Sequence, residues 1–316
     1  MSASPAPSRL GSERRGPAAL PAVTPTPLVE IEHPELEART RLFAKLESVH
    51  PSGSIKERPV SRIIRGALVA GHLGGGRRLL DSSSGNAGIA YAMIGARLGV
   101  PVTLVVPGNA SRERLERIRA HGAELVLTDP LEGYDYAIGE ARRLAGERPD
   151  LYWYADQYGN EDNWRAHYET TGAELLDQAR AATGEAPGAF VAGIGTGGTF
   201  TGVGRRLRAA APHVHLATVA PDLFPGVEGL KPLGGPDDLV PAILDESLVD
   251  RRIEVTTEEA VEACRWLARR GLFVGPSSGA NLVAALEVAR SGSWRVLVTV
   301  FSDTGERYLS TGMWGP

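Results

Sequence analysis

The chain has 316 residues and a formal net charge of −4, with basic and acidic residues mixed along its length. This charge pattern argues against nucleic-acid or membrane-surface binding as the main task, and no apolar stretch approaches the roughly 20 residues of a membrane span. The length is enough to bury a large core, divided between two lobes. The single cysteine, Cys264, excludes an internal disulfide, and its place in an apolar helical pattern predicts a packed, unreactive thiol.

Residues 1–22 are rich in Ala, Pro, Ser and Arg and contain no apolar core stretch. This composition is not that of a secretory signal, and it predicts a flexible tail. A cytoplasmic location is the expectation that follows.

Beyond the tail, short apolar runs alternate with helical segments. Strands are predicted at residues 42–47, 79–80, 102–106, 124–127, 189–192, 216–219, 272–274 and 296–300. Helices are predicted at residues 57–70, 89–98, 111–121, 134–144, 164–180, 201–210, 257–270 and 280–290. This rhythm indicates βαβ units, and hence an α/β fold of mainly parallel sheets covered by helices on both faces.

The first motif is Pro-Ser-Gly-Ser-Ile-Lys-Glu-Arg-Pro at residues 51–59, which contains one of only three lysines among 34 basic residues. Ser54 is placed to cap the helix that begins there. Lys56 near that helix start feels the positive end of the helix dipole, which disfavours its ammonium form. That is the electrostatic setting a Schiff-base lysine needs. Taken alone, the segment fits a solvated surface lysine better.

Three loops at strand-to-helix junctions complete the pattern. Residues 81–88, Asp-Ser-Ser-Ser-Gly-Asn-Ala-Gly, place several backbone N–H groups at a helix start, which suits an anion such as a carboxylate. Residues 193–202, Gly-Ile-Gly-Thr-Gly-Gly-Thr-Phe-Thr-Gly, let the backbone approach a phosphate closely. Residues 275–281, Gly-Pro-Ser-Ser-Gly-Ala-Asn, join the last predicted helix to the run before it.

Taken alone, each of these loops is better interpreted as an ordinary Gly/Ser turn between two elements. The glycine loop lacks the Gly-x-Gly-x-x-Gly spacing and the later acidic residue of a dinucleotide site. It also lacks the Gly-Lys-Ser/Thr ending of a nucleotide phosphate loop. It is therefore interpreted as a cup for a single phosphate.

Together and in this order, the four segments resemble the cysteine synthase (O-acetylserine sulfhydrylase) branch of the fold-type II pyridoxal-phosphate enzymes, which also includes cystathionine β-synthase. The resemblance extends to residues 26–29, 157–172 and 303–311, and so covers about residues 24 to 312. It implies a two-lobed, tryptophan synthase β-like fold. The smaller, substrate-binding lobe is expected at residues 56–155, and the larger, cofactor-binding lobe at residues 23–55 and 156–316.

The resemblance also implies roles for individual residues around pyridoxal 5'-phosphate. Lys56 would hold the cofactor covalently and then act as general base at the substrate's α-carbon. Asn86 would hydrogen-bond the ring hydroxyl oxygen, and Ser277 would meet the pyridine nitrogen, which favours loss of a β-leaving group over transamination. The phosphate would be held by Gly195, Thr196, Gly197, Gly198 and Thr199. No metal is expected.

The substrate loop departs from the family pattern at Ala87, where relatives carry a threonine whose hydroxyl helps to bind the substrate carboxylate. The carboxylate is expected to contact Ser83, Ser84, Gly85, Ala87 and Gln157. The missing hydroxyl predicts weaker carboxylate binding or a substrate with a second anionic group, for which Lys231 is the candidate cation. The simpler interpretation of Lys231 is a solvated surface lysine. The simpler interpretation of His50 is a turn residue with a satisfied ring.

The implied function is β-replacement on an activated L-serine, O-acetylserine or O-phosphoserine, through an α-aminoacrylate. The product is L-cysteine or a related β-substituted alanine, with sulfide or a similar small nucleophile as second substrate. Cysteine desulfhydration, cystathionine formation and 2,3-diaminopropionate formation stay open as alternatives. A catalytically silent partner protein is disfavoured because the lysine, the asparagine, the cup and the serine are all present. A homodimer that binds neither nucleic acid nor membrane is expected.

Overall fold

The computed structural model describes residues 23–83, 85–233 and 239–315; the predicted tail at residues 1–22 lies outside them. The strands are β1 (Leu28–Glu30), β2 (Arg41–Leu46), β3 (Arg78–Ser82), β4 (Val102–Pro107), β5 (Glu124–Thr128), β6 (Tyr152–Tyr154), β7 (Ala189–Val191), β8 (His215–Pro221), β9 (Arg251–Val255) and β10 (Val296–Phe301). The helices are α1 (Glu57–Val69), α2 (Asn86–Leu98), α3 (Arg112–Ala120), α4 (Gly133–Glu147), α5 (Glu161–Glu169), α6 (Thr171–Thr183), α7 (Gly198–Ala210), α8 (Thr257–Ala268) and α9 (Pro276–Ser291).

The strands form two sheets. The larger has the order β1-β2-β10-β7-β8-β9, and the smaller has the order β5-β4-β3-β6. All neighbouring strands are parallel except β1 and β2. Every residue of β4 and β10 is buried, as expected of parallel strands covered by helices on both faces. The predicted α/β class with mainly parallel sheets is confirmed, while the lobe boundaries stay a prediction.

Three local predictions are wrong. The helix predicted at residues 164–180 is divided into α5 and α6 at Thr170, whose angles of φ −116° and ψ −77° stay in the right-handed helical region but depart from the regular values of about −63° and −42°. The run at residues 272–274 forms no strand and contributes only an isolated bridge from Val274 to Thr304. Ser54 does not occupy the cap position of α1. Lys56 does, and the Ser54 hydroxyl accepts the Lys56 backbone N–H at 3.4 Å.

Within the described ranges, no helix combines the length and the apolar character needed to cross a bilayer. The lone cysteine, Cys264, is fully buried in the core of the larger sheet. Burial raises the pKa of its thiol to about 12. The prediction of a packed, unreactive thiol is consistent with this environment.

The close contact between α5 and α7 depends on Gly202. A methyl group there would meet the carbonyl oxygen of Trp164 and lie 2.7 Å from the Cβ of His167. We therefore expect Gly202→Ala to lower the free energy of unfolding by about 1–3 kcal/mol, measured by urea denaturation. Gly139→Ala in α4 is the matched control, since nothing lies within 4 Å of its Cβ position, and alanine favours a helix by about 1 kcal/mol over glycine. An equal decrease in the free energy of unfolding in both variants would contradict the conclusion that Gly202 allows the close contact between α5 and α7.

Candidate active site

A cavity of about 1040 Å³ lies at the carboxyl ends of strands from both sheets, where α/β folds bind their ligands. Its lining includes most of the residues that the motifs predicted: Lys56, Ser83, Gly85, Asn86, Ala87, Gln157, Gly195, Thr196, Gly197, Thr199 and Ser277. Gly198 is the first residue of α7, is buried, and stands in the chain between the lining residues Gly197 and Thr199. Ser84 lies outside the described residues.

Lys56 is half-buried at the start of α1, and no hydrogen bond or ion pair to its amine is found within the part of the chain that the structure describes. Burial lowers the pKa of this amine to about 8, against the opposing charge of Asp303. The other two lysines are engaged: Lys45 contacts Glu174 at 2.8 Å, and Lys231 contacts Asp135 at 2.6 Å. Lys56 is thus the lysine with an amine that is partly neutral and nucleophilic near pH 7.

The first turn of α1 is anchored by buried charges. The guanidinium of Arg58, fully buried, bonds Glu47 at 2.6 Å and Glu174 at 2.7 Å. His50 also faces Glu47, at 3.3 Å, and it does not line the cavity. Removing one partner from such a buried pair leaves an uncompensated charge, so the network holds the backbone around Lys56 in one arrangement.

The loop before α2 places Asn86 at the cavity. Its Nδ2 donates to Asp303 Oδ2 at 2.7 Å, and its Oδ1 accepts a hydrogen bond from Arg307. The Ser83 hydroxyl accepts the backbone N–H groups of Gly85, at 3.2 Å, and Gly88, at 2.7 Å. Ser83 therefore stabilises the start of α2 itself and has only its own O–H to offer a ligand.

The glycine loop between β7 and α7 is closely packed on its outer side. A Cβ atom at Gly195 would lie 2.6 Å from the carbonyl oxygen of Gly229. The Thr196 hydroxyl accepts from Asn163 Nδ2 at 3.1 Å, and the Thr199 hydroxyl lies 3.3 Å from His167 Nε2. Burial lowers the pKa of His167 to about 3, so this ring is neutral. The loop backbone at the start of a 13-residue helix is suited to a phosphate.

Gln157 and Ser277, two further predicted residues, differ in whether their side chains are already hydrogen-bonded to other described residues. Gln157 is buried and donates its side-chain amide to the carbonyl oxygen of Ser82 at 2.6 Å. Ser277 is the second residue of α9, is buried, and lines the cavity. The next serine, Ser278, instead accepts the backbone N–H of Ser302 at 3.0 Å. Of the two serines, Ser277 is thus the one available to a ligand.

Sequence reasoning missed several residues around the cavity. Arg114 of α3 is paired with Glu228 and lies over the ring of Tyr308, 4.8 Å from its centroid. Tyr134 of α4 donates to the carbonyl oxygen of Ser82 at 2.9 Å. Two of these residues had a signal in the sequence: Tyr308 belongs to the segment at residues 303–311 that carried the resemblance, and Glu228 lies three positions before the candidate cation Lys231. Neither was given a role. The described ranges contain no group of three or more His, Cys, Asp or Glu side chains placed to hold a metal ion.

Comparison with known proteins places this geometry among characterised enzymes. A family model described as pyridoxal-phosphate dependent enzyme matches residues 19–303. The cysteine synthase of Aquifex aeolicus is 46% identical over 297 residues, which cover 91% of this chain and 89% of the relative. The crystal structure of an O-ureido-L-serine synthase has a TM-score of 0.83 and 34% identity, covering 92% of each chain. The O-acetylserine-dependent cystathionine β-synthase from Helicobacter pylori has a TM-score of 0.82 and 32% identity, covering 93% of this chain and 97% of that one.

Proposed function

The chain belongs to the pyridoxal-phosphate-dependent enzyme family, and we propose that it makes L-cysteine or a related β-substituted alanine by β-replacement on an activated L-serine. O-acetylserine and O-phosphoserine are the candidate first substrates, and sulfide or a similar small nucleophile is the second. The observation that carries the proposal is the half-buried Lys56 amine, with its pKa lowered to about 8 by burial, beside a cup of backbone N–H groups.

The residues around the cavity fit the cofactor. The amine of Lys56 faces a space large enough for a substituted pyridine ring. The contact between Gly195 and the Gly229 carbonyl leaves no room for a side chain and keeps the loop backbone at the cavity wall. In this proposal Lys56 binds the cofactor covalently, Asn86 contacts the ring hydroxyl, and Ser277 contacts the ring nitrogen. The phosphate contacts are Gly195, Thr196, Gly197, Gly198 and Thr199.

Bound pyridoxal phosphate supplies the electron sink that stabilises negative charge at the substrate's α-carbon. The Lys56 amine, once free, accepts the proton from that carbon, and a pKa near 8 makes both of its protonation states accessible near neutral pH. Ser277 would present a neutral hydroxyl to the ring nitrogen. A neutral partner there stabilises carbanion character less than a carboxylate would, which favours departure of a β-leaving group over transamination.

The substrate carboxylate is proposed to bind at the loop of Ser83, Ser84, Gly85 and Ala87, with Gln157 from the facing segment. The Gln157 amide group has two N–H donors, of which one is used by Ser82, so the other remains for the carboxylate. Ser83 contributes by donating its O–H, since its lone pairs receive backbone N–H groups. Ala87 is buried at the cavity and contributes no hydroxyl.

The leaving group bears on the role of Lys231. Its amine lines the cavity and is bound to Asp135 at 2.6 Å. A phosphate on the substrate would therefore compete with an existing carboxylate for this cation, whereas an acetyl group would not. This pairing supports O-acetylserine over O-phosphoserine as the better first substrate. A cytoplasmic homodimer belongs to the same proposal.

The direct test is to incubate the cofactor-loaded protein with each activated serine and sulfide, and to measure cysteine. We expect cysteine from O-acetylserine with a higher kcat/KM than from O-phosphoserine. Sulfide release from cysteine, without synthesis from either activated serine, would instead assign a desulfhydrase and refute the proposal.

Position 87 provides the matched variants for carboxylate binding. Ala87→Thr adds a hydroxyl that can bond the carboxylate, and a hydrogen bond to a charged group contributes about 1.5–3 kcal/mol. We expect the KM for O-acetylserine to fall about ten-fold or more. Ala87→Val adds the same bulk without the hydroxyl and should not lower KM. An unchanged KM in both variants would show that Ala87 does not weaken carboxylate binding.

A further inference from the structure

Asp303 is a fully buried carboxylate for which the proposed function provides no role. It follows β10, and its backbone bridges to Ser54, two residues before Lys56. The neighbouring Ile55 N–H donates to the carbonyl oxygen of Ser302 at 2.9 Å. A Cβ atom at Gly275 would collide with Asp303 Oδ1. The carboxylate thus lies where the turn of Lys56 meets the turn that leads to α9.

The two oxygens of this carboxylate have different partners. Oδ2 accepts hydrogen bonds from Asn86 Nδ2 and from the Tyr308 hydroxyl, both at 2.7 Å. Oδ1 is buried and has no hydrogen-bond partner within the described ranges. Both donors to Oδ2 are neutral, and the hydrogen bonds of Arg307 go to Asn86 and to the Ser52 carbonyl instead. A buried carboxylate held in this way is stabilised by a nearby cation.

We propose that Asp303 is a positioning residue that acts as the counter-charge of Lys56. Its carboxylate stabilises the charged form of the Lys56 amine whenever this amine is not bonded to the cofactor, and it holds the Asn86 amide at the cavity at the same time. The biological reading rests on the proposed function, in which Lys56 must hold a proton between two steps. In the protein without cofactor, the interaction between the Asp303 carboxylate and the Lys56 amine does not depend on that function.

The charges around Asp303 and Lys56 support the proposal that Asp303 is the counter-charge of Lys56. Burial lowers the pKa of Lys56, and the Asp303 charge is the influence that opposes it. Burial likewise lowers the pKa of Arg307, and Asp303 opposes that shift as well. The titratable and charged groups around Asp303 and Lys56 are Tyr308, Arg307, Cys264 and His167, with Arg114, Arg58, Glu47 and Glu57 behind them. His167 is neutral near pH 7 and the arginines are cations. The carboxylate of Glu47 is bound to Arg58, and that of Glu57 accepts the Ser52 backbone N–H at 2.6 Å. Asp303 is therefore the carboxylate whose charge acts on the Lys56 amine.

The lysine content of the chain makes a direct test possible. Protein labelled with ¹³C,¹⁵N-lysine and freed of cofactor contains three lysines, and Lys56→Arg identifies the Lys56 signal by removing it. Asp303→Asn keeps an oxygen that can accept from Asn86 and Tyr308 while it removes the charge. We expect the pH midpoint of the Lys56 signal to fall by about one unit or more in this variant. The Lys45 signal reports whether the fold is intact, because Lys45 is buried against Glu174.

Two further variants separate charge from structure. Asp135→Asn removes the carboxylate bound to Lys231 and should leave the Lys56 midpoint unchanged. Tyr308→Phe removes one hydrogen bond to Asp303 but keeps the charge, so the Lys56 midpoint should stay nearer to that of the unmodified protein than to that of Asp303→Asn. An unchanged midpoint in Asp303→Asn with a native Lys45 signal would overturn the proposal. So would a fall in Tyr308→Phe as large as in Asp303→Asn.

This test and the proposed function fail independently. If the cofactor attaches to a different lysine, the function is wrong, while the titration still reports the charge that faces Lys56. If the titration is unaffected by Asp303, cysteine synthesis and attachment at Lys56 stand without it.

Discussion

Lys56→Ala is expected to abolish covalent attachment of the cofactor and to lower kcat by at least about 10³-fold. The same amine is proposed to hold the cofactor and to take the α-proton, and general-base catalysis alone contributes about 10²–10⁴-fold. The measurement is borohydride reduction of the loaded protein followed by peptide mapping, together with the visible absorption of the cofactor and the rate of cysteine synthesis.

Lys231→Ala is the matched control for attachment, since Lys231 also lines the cavity but is bound to Asp135. It should keep the reduced cofactor on Lys56. Cofactor found on Lys45 or Lys231 in the unmodified protein would refute the assignment of Lys56.

Most of the cavity could be predicted because its residues follow strands. A buried parallel strand such as β4 or β10 is a continuous apolar run, and a Gly/Ser loop directly after such a run lies at the carboxyl edge of a sheet. That reasoning placed Lys56, Asn86 and Gly195, and all three line one cavity. Ser277 lines the same cavity, although the run at residues 272–274 before its loop forms no strand. The short strands β6 and β9 have no comparable apolar pattern and were not predicted.

The contacts between distant segments could not be predicted from the pattern of residues. Asn86 and Asp303 are 217 positions apart and come together only through the packing of the two sheets. Arg114 and Glu228 likewise belong to α3 and to the loop after β8. Ser83 was expected to serve the ligand with its hydroxyl. The structure directs that oxygen to the backbone of α2, because a helix start has N–H groups without intrahelical partners.

The phosphate cup provides the second large effect. Gly195→Ala would place a Cβ atom 2.6 Å from the carbonyl oxygen of Gly229. The carbonyl oxygen of Gly229 is a backbone atom and the Cβ position is fixed by the backbone of residue 195, so a side-chain rotation cannot relieve this contact. The loop must instead move, and its N–H groups then leave the position in which they would bind the phosphate. We expect the dissociation constant of the cofactor to rise between about 10- and 100-fold, since overpacking costs about 1–3 kcal/mol. Titration of the cofactor-free protein with pyridoxal phosphate, followed by fluorescence, measures this constant.

Gly188→Ala is the matched control, because Gly188 precedes β7 in the same segment and its Cβ would meet its nearest neighbours at an ordinary 3.6 Å. It should bind the cofactor as the unmodified protein does. If Gly195→Ala also did so, the phosphate would not depend on the backbone at Gly195. If both variants lost affinity together, the effect would come from β7 and not from the cup. Weaker binding in Gly195→Ala alone, with the reduced cofactor still attached to Lys56, is the result that assigns the phosphate to this loop.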